Sequence, residues 1–207
     1  TDPAPFAVDI SADARLVAGK IWLIGTGDGL GMRNQGSIAA MEGLILTADG
    51  RIENSGSIDA GQLQLQAATL NNSGTISANA GVAQAGQDGG PAGTVSLNAP
   101  EVIQTGVITA SNTSTQAGST APTGLTTGGQ IDIQANTFSQ SGAAVLDVSS
   151  VTGLAGSVTL VASDSLSISG RYSCTKPVSQ RQDCTWPCTA PSAKRSTNDS
   201  VVAASNQ

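Results

Sequence analysis

Histidine is absent from the 207-residue chain, and cysteine is absent from residues 1–170. Without histidine, the chain cannot form the Ser-His-Asp or Cys-His arrangements of nucleophilic catalysis, and it lacks the ligand that most catalytic zinc sites use. Without cysteine, no disulfide can cross-link residues 1–170. We therefore expect this part of the chain to be held together by packing and hydrogen bonds alone.

Aromatic residues make up 2% and charged residues 12% of the chain, and both fractions are low for a globular protein. A core built from Leu, Ile, Val and Ala instead of large rings suits a narrow interior that repeats along an axis. No run of 18 apolar residues occurs, so the sequence predicts no stable membrane insertion. The formal net charge of −6 argues against a nucleic acid partner, because phosphate binding needs clustered Lys and Arg.

A phrase of one apolar residue, three mostly polar residues and a glycine recurs along the chain. It occurs at Met32–Gly36, Ile52–Gly56, Leu70–Gly74, Val102–Gly106, Phe138–Gly142 and Leu166–Gly170. In the first four copies an isoleucine follows two residues after the glycine, and an alanine follows two residues later. A second phrase, apolar-x-apolar-x-Ala, occurs at Leu44–Ala48, Leu63–Ala67, Val95–Ala99, Ile131–Ala135 and Val158–Ala162.

The alternation in both phrases has period two, which predicts strands with one buried face. The long spacings between phrases contain inserts at residues 81–93 and 111–129 that are rich in Gly, Ser, Thr and Ala, and we expect these to be loops that leave one corner. Without them the unit is about 18–20 residues, too short to bury its apolar face unless it stacks on its neighbours. The sequence therefore predicts an all-β chain: a right-handed parallel β-helix, or solenoid, of about six coils over residues 19–170. Residues 1–18 are an entry segment.

This stacking has consequences for individual positions. Leu65, Leu97, Ile133 and Leu160 are predicted to share one interior column. We expect the polar trio to cover a corner, the glycine to give the freedom to turn there, and Arg33 to pair with Glu53 of the next coil. The middle residues of the trios are predicted to form a ladder of stacked amides that Ile168 interrupts; they are Asn34, Asn54, Asn72, Gln104 and Gln140.

Composition changes after Gly170. Residues 171–207 contain all three cysteines (Cys174, Cys184 and Cys188), three of the eight prolines and five of the nine lysines and arginines. The apolar alternation stops, so the sequence predicts a disordered tail. Three thiols are one short of a four-cysteine zinc site, and the Cys184–Cys188 spacing differs from that of a redox pair, so no cofactor or metal is predicted.

Other motifs carry weak chemical signals. The glycine-rich Gly25–Gly31 lacks the spacing of a phosphate-binding loop and is interpreted as a turn between coils. Gln87–Gly90 holds one carboxylate, whereas calcium takes six to eight oxygens. Acidic residues are scattered about one per coil, without the facing pair that glycoside hydrolysis needs. We therefore predict no catalytic, cofactor-binding or metal-binding residue, and we expect the chain not to be an enzyme.

Several stretches resemble filamentous haemagglutinin-like exoproteins, the large passengers of two-partner secretion in Gram-negative bacteria. The stretches are Phe6–Ala12, Ala18–Ala39, Leu46–Ala60 and Leu70–Ala78. The resemblance covers residues 6–110 well and residues 111–170 through the repeat alone. It implies a β-helical shaft, export through a dedicated outer-membrane transporter, and a secreted or cell-surface location.

From this resemblance we expect a fragment of a longer protein: a shaft segment of a surface-associated adhesin that contacts a glycan or protein on host or bacterial cells. If the chain itself binds, the two inserts are the expected contact surface. Two alternatives stay open. One is the stalk of a contact-dependent growth-inhibition toxin, and the other is a β-helical enzyme acting on polysaccharides.

Overall fold

The computed structural model describes residues 6–79, 92–112, 127–150 and 154–173, and the backbone of residues 193–196 and 200–203. These ranges contain strands and no helix. The strands are β1 (Phe6–Ile10), β2 (Arg15–Gly25), β3 (Gly31–Asn34), β4 (Ser37–Ala48), β5 (Arg51–Asn54), β6 (Ser57–Gln66), β7 (Thr69–Asn72), β8 (Thr75–Ser77), β9 (Thr94–Asn98), β10 (Glu101–Gln104), β11 (Val107–Thr109), β12 (Gln130–Gln140), β13 (Val145–Asp147), β14 (Ser157–Ile168), β15 (Arg171–Ser173), β16 (Ala193–Ser196) and β17 (Ser200–Ala203).

The first fifteen strands wind into coils whose equivalent strands pair in parallel along three walls. Wall A contains β1, β3, β5, β7, β10 and the second halves of β12 and β14. Wall B contains the first parts of β2, β4 and β6, followed by β8, β11, β13 and β15. Wall C contains the later parts of β2, β4 and β6, then β9 and the first halves of β12 and β14.

This arrangement confirms the predicted parallel β-helix of about six coils; its right-handed sense stays a prediction. At about 4.8 Å per coil, six steps give a rod about 29 Å long. Leu65, Leu97, Ile133 and Leu160 pair in register in wall C, so the predicted interior column is confirmed. Inward residues at these positions are almost wholly buried because each is covered from above and below by its counterparts.

The amide ladder lies inside the rod, on wall A. All five predicted members are buried, because each lies two residues after an inward apolar residue and so faces the same side. Nδ2 of Asn34 donates to Oδ1 of Asn54 (2.8 Å), Nδ2 of Asn54 to Oδ1 of Asn72 (2.7 Å), and Nδ2 of Asn72 to Oε1 of Gln104 (2.9 Å). The trio thus covers the corner only with its outer residues, and its middle residue belongs to the core.

The ladder stops short of its predicted length. Nε2 of Gln104 and Oε1 of Gln140 have no hydrogen-bond partner, although the two residues are in register. At the other end, Oδ1 of Asn34 is also buried without a partner, because Ile10 occupies the equivalent position in the first coil. Ile168 follows Gln140 in the column, so the predicted interruption there is confirmed.

The repeated corner glycines are required for close stacking rather than for turning. A Cβ on Gly56 would collide with the carbonyl oxygen of Gly36, and the same collision recurs for Gly74 on Gly56 and for Gly106 on Gly74. Among the described glycines, only Gly29 and Gly142 have positive φ, at 70° and 67°. The expected role in turning therefore applies to Gly142 and not to the stacked glycines. The turn at Gly142 is two residues longer than the turns at the stacked glycines.

The predicted pairing of Arg33 with Glu53 is only partly correct. The two residues are in register, but the Arg33 guanidinium forms its ion pair with Asp9 of the first coil, with Nε 3.0 Å from Oδ1. Hydrogen bonding from Arg33 lowers the pKa of the exposed Asp9. Glu53 instead lies 3.0 Å from Nε of Arg51. That Nε has no aligned hydrogen-bond acceptor, so the contact is an ion pair only.

The last coil continues beyond the predicted shaft limit at Gly170. Strand β15 adds Arg171–Ser173 to wall B by pairing in parallel with β13. Strands β16 and β17 pair antiparallel with the two halves of β14, in walls A and C. The other residues of the tail, including the three cysteines, lie outside the described residues, and their predicted disorder stays a prediction.

Tyr172 completes an interior column of wall B above Leu146, and burial raises its pKa to about 12. It is the only tyrosine in the chain, so absorbance at the tyrosinate band reports on it alone. We expect a titration midpoint near pH 12, compared with about 10 for a free tyrosine. The phenol loses its proton at a lower pH in the unfolded state than in the folded state. The stability that this group contributes is therefore present below about pH 10 and is lost as the pH rises towards 12.

The control for this titration is Tyr172→Phe, which should give a flat absorbance trace and remove the fall in stability over that pH range. A midpoint near that of free tyrosine would show that the last coil leaves the phenol in water.

Candidate functional site: the insert corner

The insert corner is the edge of the rod where each coil passes from wall B to wall C. In the first three coils the crossing is short: Gly19, then Met41–Glu42, then Gly61. In the next three the described chain leaves after Asn79, Asn112 and Ser150, and it returns at residues 92, 127 and 154. The described residues that flank both inserts therefore lie at this one corner, and the loop structure of the inserts stays a prediction.

The predicted insert limits are wider than the crossings. Ser111 and Asn112 are buried, and Gly93 and Gly129 are bonded to the shaft, so these residues belong to the coils. Residues 80–91 and 113–126 lie outside the described residues. The corner itself is the part of the predicted binding surface whose geometry is known.

A backbone hydrogen bond closes the base of each of the three longer crossings. The Gly93 N–H donates to the carbonyl of Ala78, and the Gly129 N–H donates to that of Ala110, both at 2.7 Å. In the sixth coil the Gly156 N–H donates to the carbonyl of Val148 at the same distance. Each loop therefore begins and ends at a fixed point, and its length can vary without moving the strands on either side.

The residues that return from the corner form a second column of stacked glycines. A Cβ on Gly93 would collide with the carbonyl oxygen of Gly61, one on Gly129 with that of Gly93, and one on Gly156 with that of Gly129. Only a residue without a side chain permits this approach. The column holds the starting points of the loops one coil apart along the rod.

Asn79 joins the first two loop bases. Its Oδ1 accepts hydrogen bonds from Oγ1 of Thr109 (2.9 Å), from the backbone N–H of Ser111 (2.9 Å) and from Oγ of Ser111 (3.1 Å). In the next coil, Asn112 forms a parallel bridge with Ser150. This partly buried polar cluster ties the bases of the inserts together, because its members form hydrogen bonds to one another across successive coils.

The polar cluster was missed from the sequence, although a signal was present. Asn79 and Ser111 each follow an alanine of the repeated phrase, Ala78 and Ala110, and so occupy equivalent positions in successive coils. A polar residue just beyond a buried alanine marks the point where a strand ends and a loop begins.

The described part of the corner carries little charge. Nζ of Lys20 lies 3.0 Å from Oε2 of Glu42, and both side chains are largely exposed, so the pair contributes little to stability. Within the described ranges no three His, Cys, Asp or Glu side chains are grouped as a metal site would need. The arrangement can present loops from a fixed base.

The other sequence candidates lie elsewhere. Gly25–Gly31 joins wall C to wall A, where the Leu30 N–H donates to the carbonyl of Gly27 at 3.0 Å; the predicted turn between coils is confirmed. Gln87–Gly90 and the three cysteines lie outside the described residues. No helix of the described chain is long and apolar enough to cross a membrane.

One curated protein shares part of this sequence. Toxin CdiA of Yersinia pestis is 46% identical to the chain over 57 residues, which are 27% of the chain and 2% of the toxin. The chain is related in part to this toxin. It spans only a small fraction of the toxin's length, so the match supports a relationship to large exoproteins of this kind and does not assign the chain to a family. No family model and no solved structure matches.

Proposed function

We propose that the chain is a shaft segment of a large, secreted, cell-surface-associated adhesin exported by two-partner secretion. The observation that carries the proposal is the partial identity to Toxin CdiA in a chain whose described residues form one stacked, narrow core. The implied partners are an outer-membrane transporter, and a glycan or protein on a host or bacterial cell.

A shaft is a physically sensible role for this core. Each coil rests on its neighbours and extends the rod by about 4.8 Å, so the fold converts sequence length into distance. The insert corner adds a second property, because loops on a rigid scaffold often carry recognition. We propose that the shaft holds its adhesive contacts on this side.

The second candidate is the stalk of a contact-dependent growth-inhibition exoprotein, and the specific observation that favours it is the match to a protein named as a toxin. Both candidates use the rod as a spacer and differ in what its far end carries. The full-length reading frame separates them. A terminal toxin module with a neighbouring immunity gene supports the stalk, and its absence supports the adhesin.

We predict that shortening the second insert abolishes cell binding and leaves the fold intact. Residues 113–126 would be replaced by three residues, the length that crosses the same corner between Ser150 and residue 154. The matched control shortens the first insert instead: residues 80–91 are replaced by five residues, the number that separates the positions equivalent to Asn79 and residue 92 in the sixth coil. The measurement is retention of epithelial cells or biofilm bacteria on the immobilised chain, with circular dichroism as the folding check. Undiminished binding in the first variant would remove the insert as the contact surface.

We also propose that the chain catalyses no reaction. Reducing-sugar and unsaturated-product assays on a panel of neutral and acidic polysaccharides should stay at background. Turnover on any of them would favour the polysaccharide-active alternative and would overturn the spacer role.

A further inference from the structure

The last coil of the rod is covered by the chain's own tail. Strands β16 and β17 pair with β14 in one antiparallel register, in which Ala193 faces Ile168 and Ala203 faces Val158. The pairing is interrupted only where β14 passes from wall C to wall A. These two short strands, which we call the cap strands, therefore follow β14 back in the opposite direction. The pairs formed among β1 to β15 are parallel.

The cap strands close an interior column whose other end is less covered. Leu23 and Leu160 are the two ends of the wall C column that contains Leu65. Leu23 is only partly buried, and among the described residues no strand pairs with β2 on the side away from β4. Leu160 is 3% exposed, and Val201 of β17 lies opposite it. The tail therefore covers this end of the core as a further coil would.

The direction of the backbone N–H groups shows how β14 is bonded to the cap strands. In wall C, inward residues donate to the following coil and outward residues donate to the preceding coil. The N–H groups of Ala67 and Ala99 donate to the carbonyls of Asn98 and Gln134, and those of Gln130 and Ser157 donate to the carbonyls of Gly93 and Gly129. By the same alternation, the N–H and C=O groups of the inward Leu160 point to β17, and those of its direct partner Val201 point back to β14. The N–H of Val202 points away from β14.

The composition of β16 opposes the addition of another strand. It contains Lys194 and Arg195, and Arg195 occupies the register position opposite Leu166, on the interior side of wall A. Charged residues on an edge strand, especially at inward positions, discourage further pairing. Strand β14 has Asp164 as its one charged residue, at the passage between the walls. In wall A the tail therefore replaces an edge that fits strand addition with one that opposes it.

We propose that the cap strands are an autoinhibitory element that occupies the upper edge of β14, the side away from β12, and closes it to any other strand. An unpaired strand edge accepts an extended segment through backbone hydrogen bonds, and alternate side chains select which segment fits. The segment that fits here runs antiparallel and places small apolar residues, Val201 and Ala203, at the positions opposite Leu160 and Val158. Another strand can pair with β14 only after the chain's own segment has left.

The test compares two proline variants of the full 207-residue chain. Val201→Pro removes the N–H that points to β14, whereas the matched control Val202→Pro removes one that points away, a position where an edge strand tolerates proline. Residue-resolved amide exchange by NMR should show Val158 and Leu160 exchanging at least about tenfold faster in Val201→Pro, because the strand that accepts from their N–H groups is released. The intervening Thr159, whose N–H points to β12, should stay protected. Val202→Pro should match the parent chain at all three positions.

A labelled peptide of residues 193–203 measures whether the freed edge accepts a strand. By fluorescence anisotropy, the peptide should bind the Val201→Pro chain and should not bind the parent chain or Val202→Pro, in which the cap strands hold the same position.

Three results would overturn the proposal. Unchanged exchange at Val158 and Leu160 in Val201→Pro would show that the tail does not cover β14. Faster exchange at Thr159 as well would show that the last coil unfolds together with the tail, so that the tail is part of the core and not a separable cap. Peptide binding that is absent from Val201→Pro, or equal in the parent chain, would show that the cap strands do not hold a strand-accepting edge closed.

Discussion

Gly93→Ala should prevent the fourth coil from stacking on the third. The new methyl group would occupy the position of the Gly61 carbonyl oxygen, and this is backbone, which cannot rotate away as a side chain would. Relief requires the two coils to separate at the insert corner, where the Gly93 N–H also holds the base of the first loop. We expect a loss of about 3 kcal/mol or more, the upper range for overpacking, measured by urea unfolding followed by circular dichroism.

Gly43→Ala is the matched control for this substitution. Gly43 also lies in a wall C strand next to the corner, but the nearest atom to a new Cβ is the carbonyl oxygen of Gln62 at 3.8 Å, an ordinary contact. Removing a glycine from a strand lowers the entropy of the unfolded chain, so this variant should match or slightly exceed the parent in stability. Equal destabilisation of both variants would show that strand propensity, and not clearance between coils, accounts for the glycine at position 93.

Asn54→Leu should be similarly destabilising, for an electrostatic reason. Asn54 is the central donor of the ladder, and its Nδ2 donates both to Oδ1 of Asn72 and to the carbonyl of Thr75. Leucine fills a similar volume but leaves Oδ1 of Asn72 buried without its ladder donor and removes the amide acceptor of Asn34 Nδ2. At about 1–3 kcal/mol for an orphaned buried group and about 1 kcal/mol for a lost hydrogen bond, we expect a loss of about 2–4 kcal/mol in the same unfolding measurement.

Gln140→Leu provides the comparison. Oε1 of Gln140 already lacks a partner, and its Nε2 makes only a 3.3 Å bond to the carbonyl of Ala144. Replacing it should change stability by about 1 kcal/mol or less. Asn54→Gln should recover only part of the loss, because the glutamine at position 104 accepts from Asn72 but leaves its own Nε2 without a partner. If the two leucine variants were equally stable, the amide ladder would contribute nothing beyond its packing volume.

Much of this fold could be predicted because every coil of a solenoid is held to the next by the same kinds of contact. Each strand needs only period-two alternation, and the register follows from aligning like residues, which is why the Leu65 column could be assigned from the sequence. The inward direction of the Asn34 side chain could also be predicted from the sequence. It lies two residues after the buried Met32, and the alternation places both on one face, although the polarity of the trio suggested the surface.

Other features depend on distances between coils that the sequence does not contain. A glycine at a corner is compatible both with an unusual backbone angle and with close contact, and only the position of the Gly36 carbonyl beneath Gly56 distinguishes the two. Arg33 had two acids within reach, and Asp9 was overlooked because the first coil lacks the repeated phrase. The Asn79 cluster needs two coils in register before the donors of Thr109 and Ser111 meet the acceptor of Asn79.

The direction of the amide ladder affects how such a shaft can change during evolution. Asn34, Asn54 and Asn72 each donate to the following coil, so the second, third and fourth coils make interchangeable connections. Unequal recombination within this stretch would add or remove a whole coil and leave the donor-to-acceptor bonds between the remaining amides of the stretch intact. Crossovers near Ile10 or Ile168 would instead bury an unpaired amide against a hydrocarbon side chain. Changes in shaft length should therefore accumulate in the middle of the ladder and be rare at its ends.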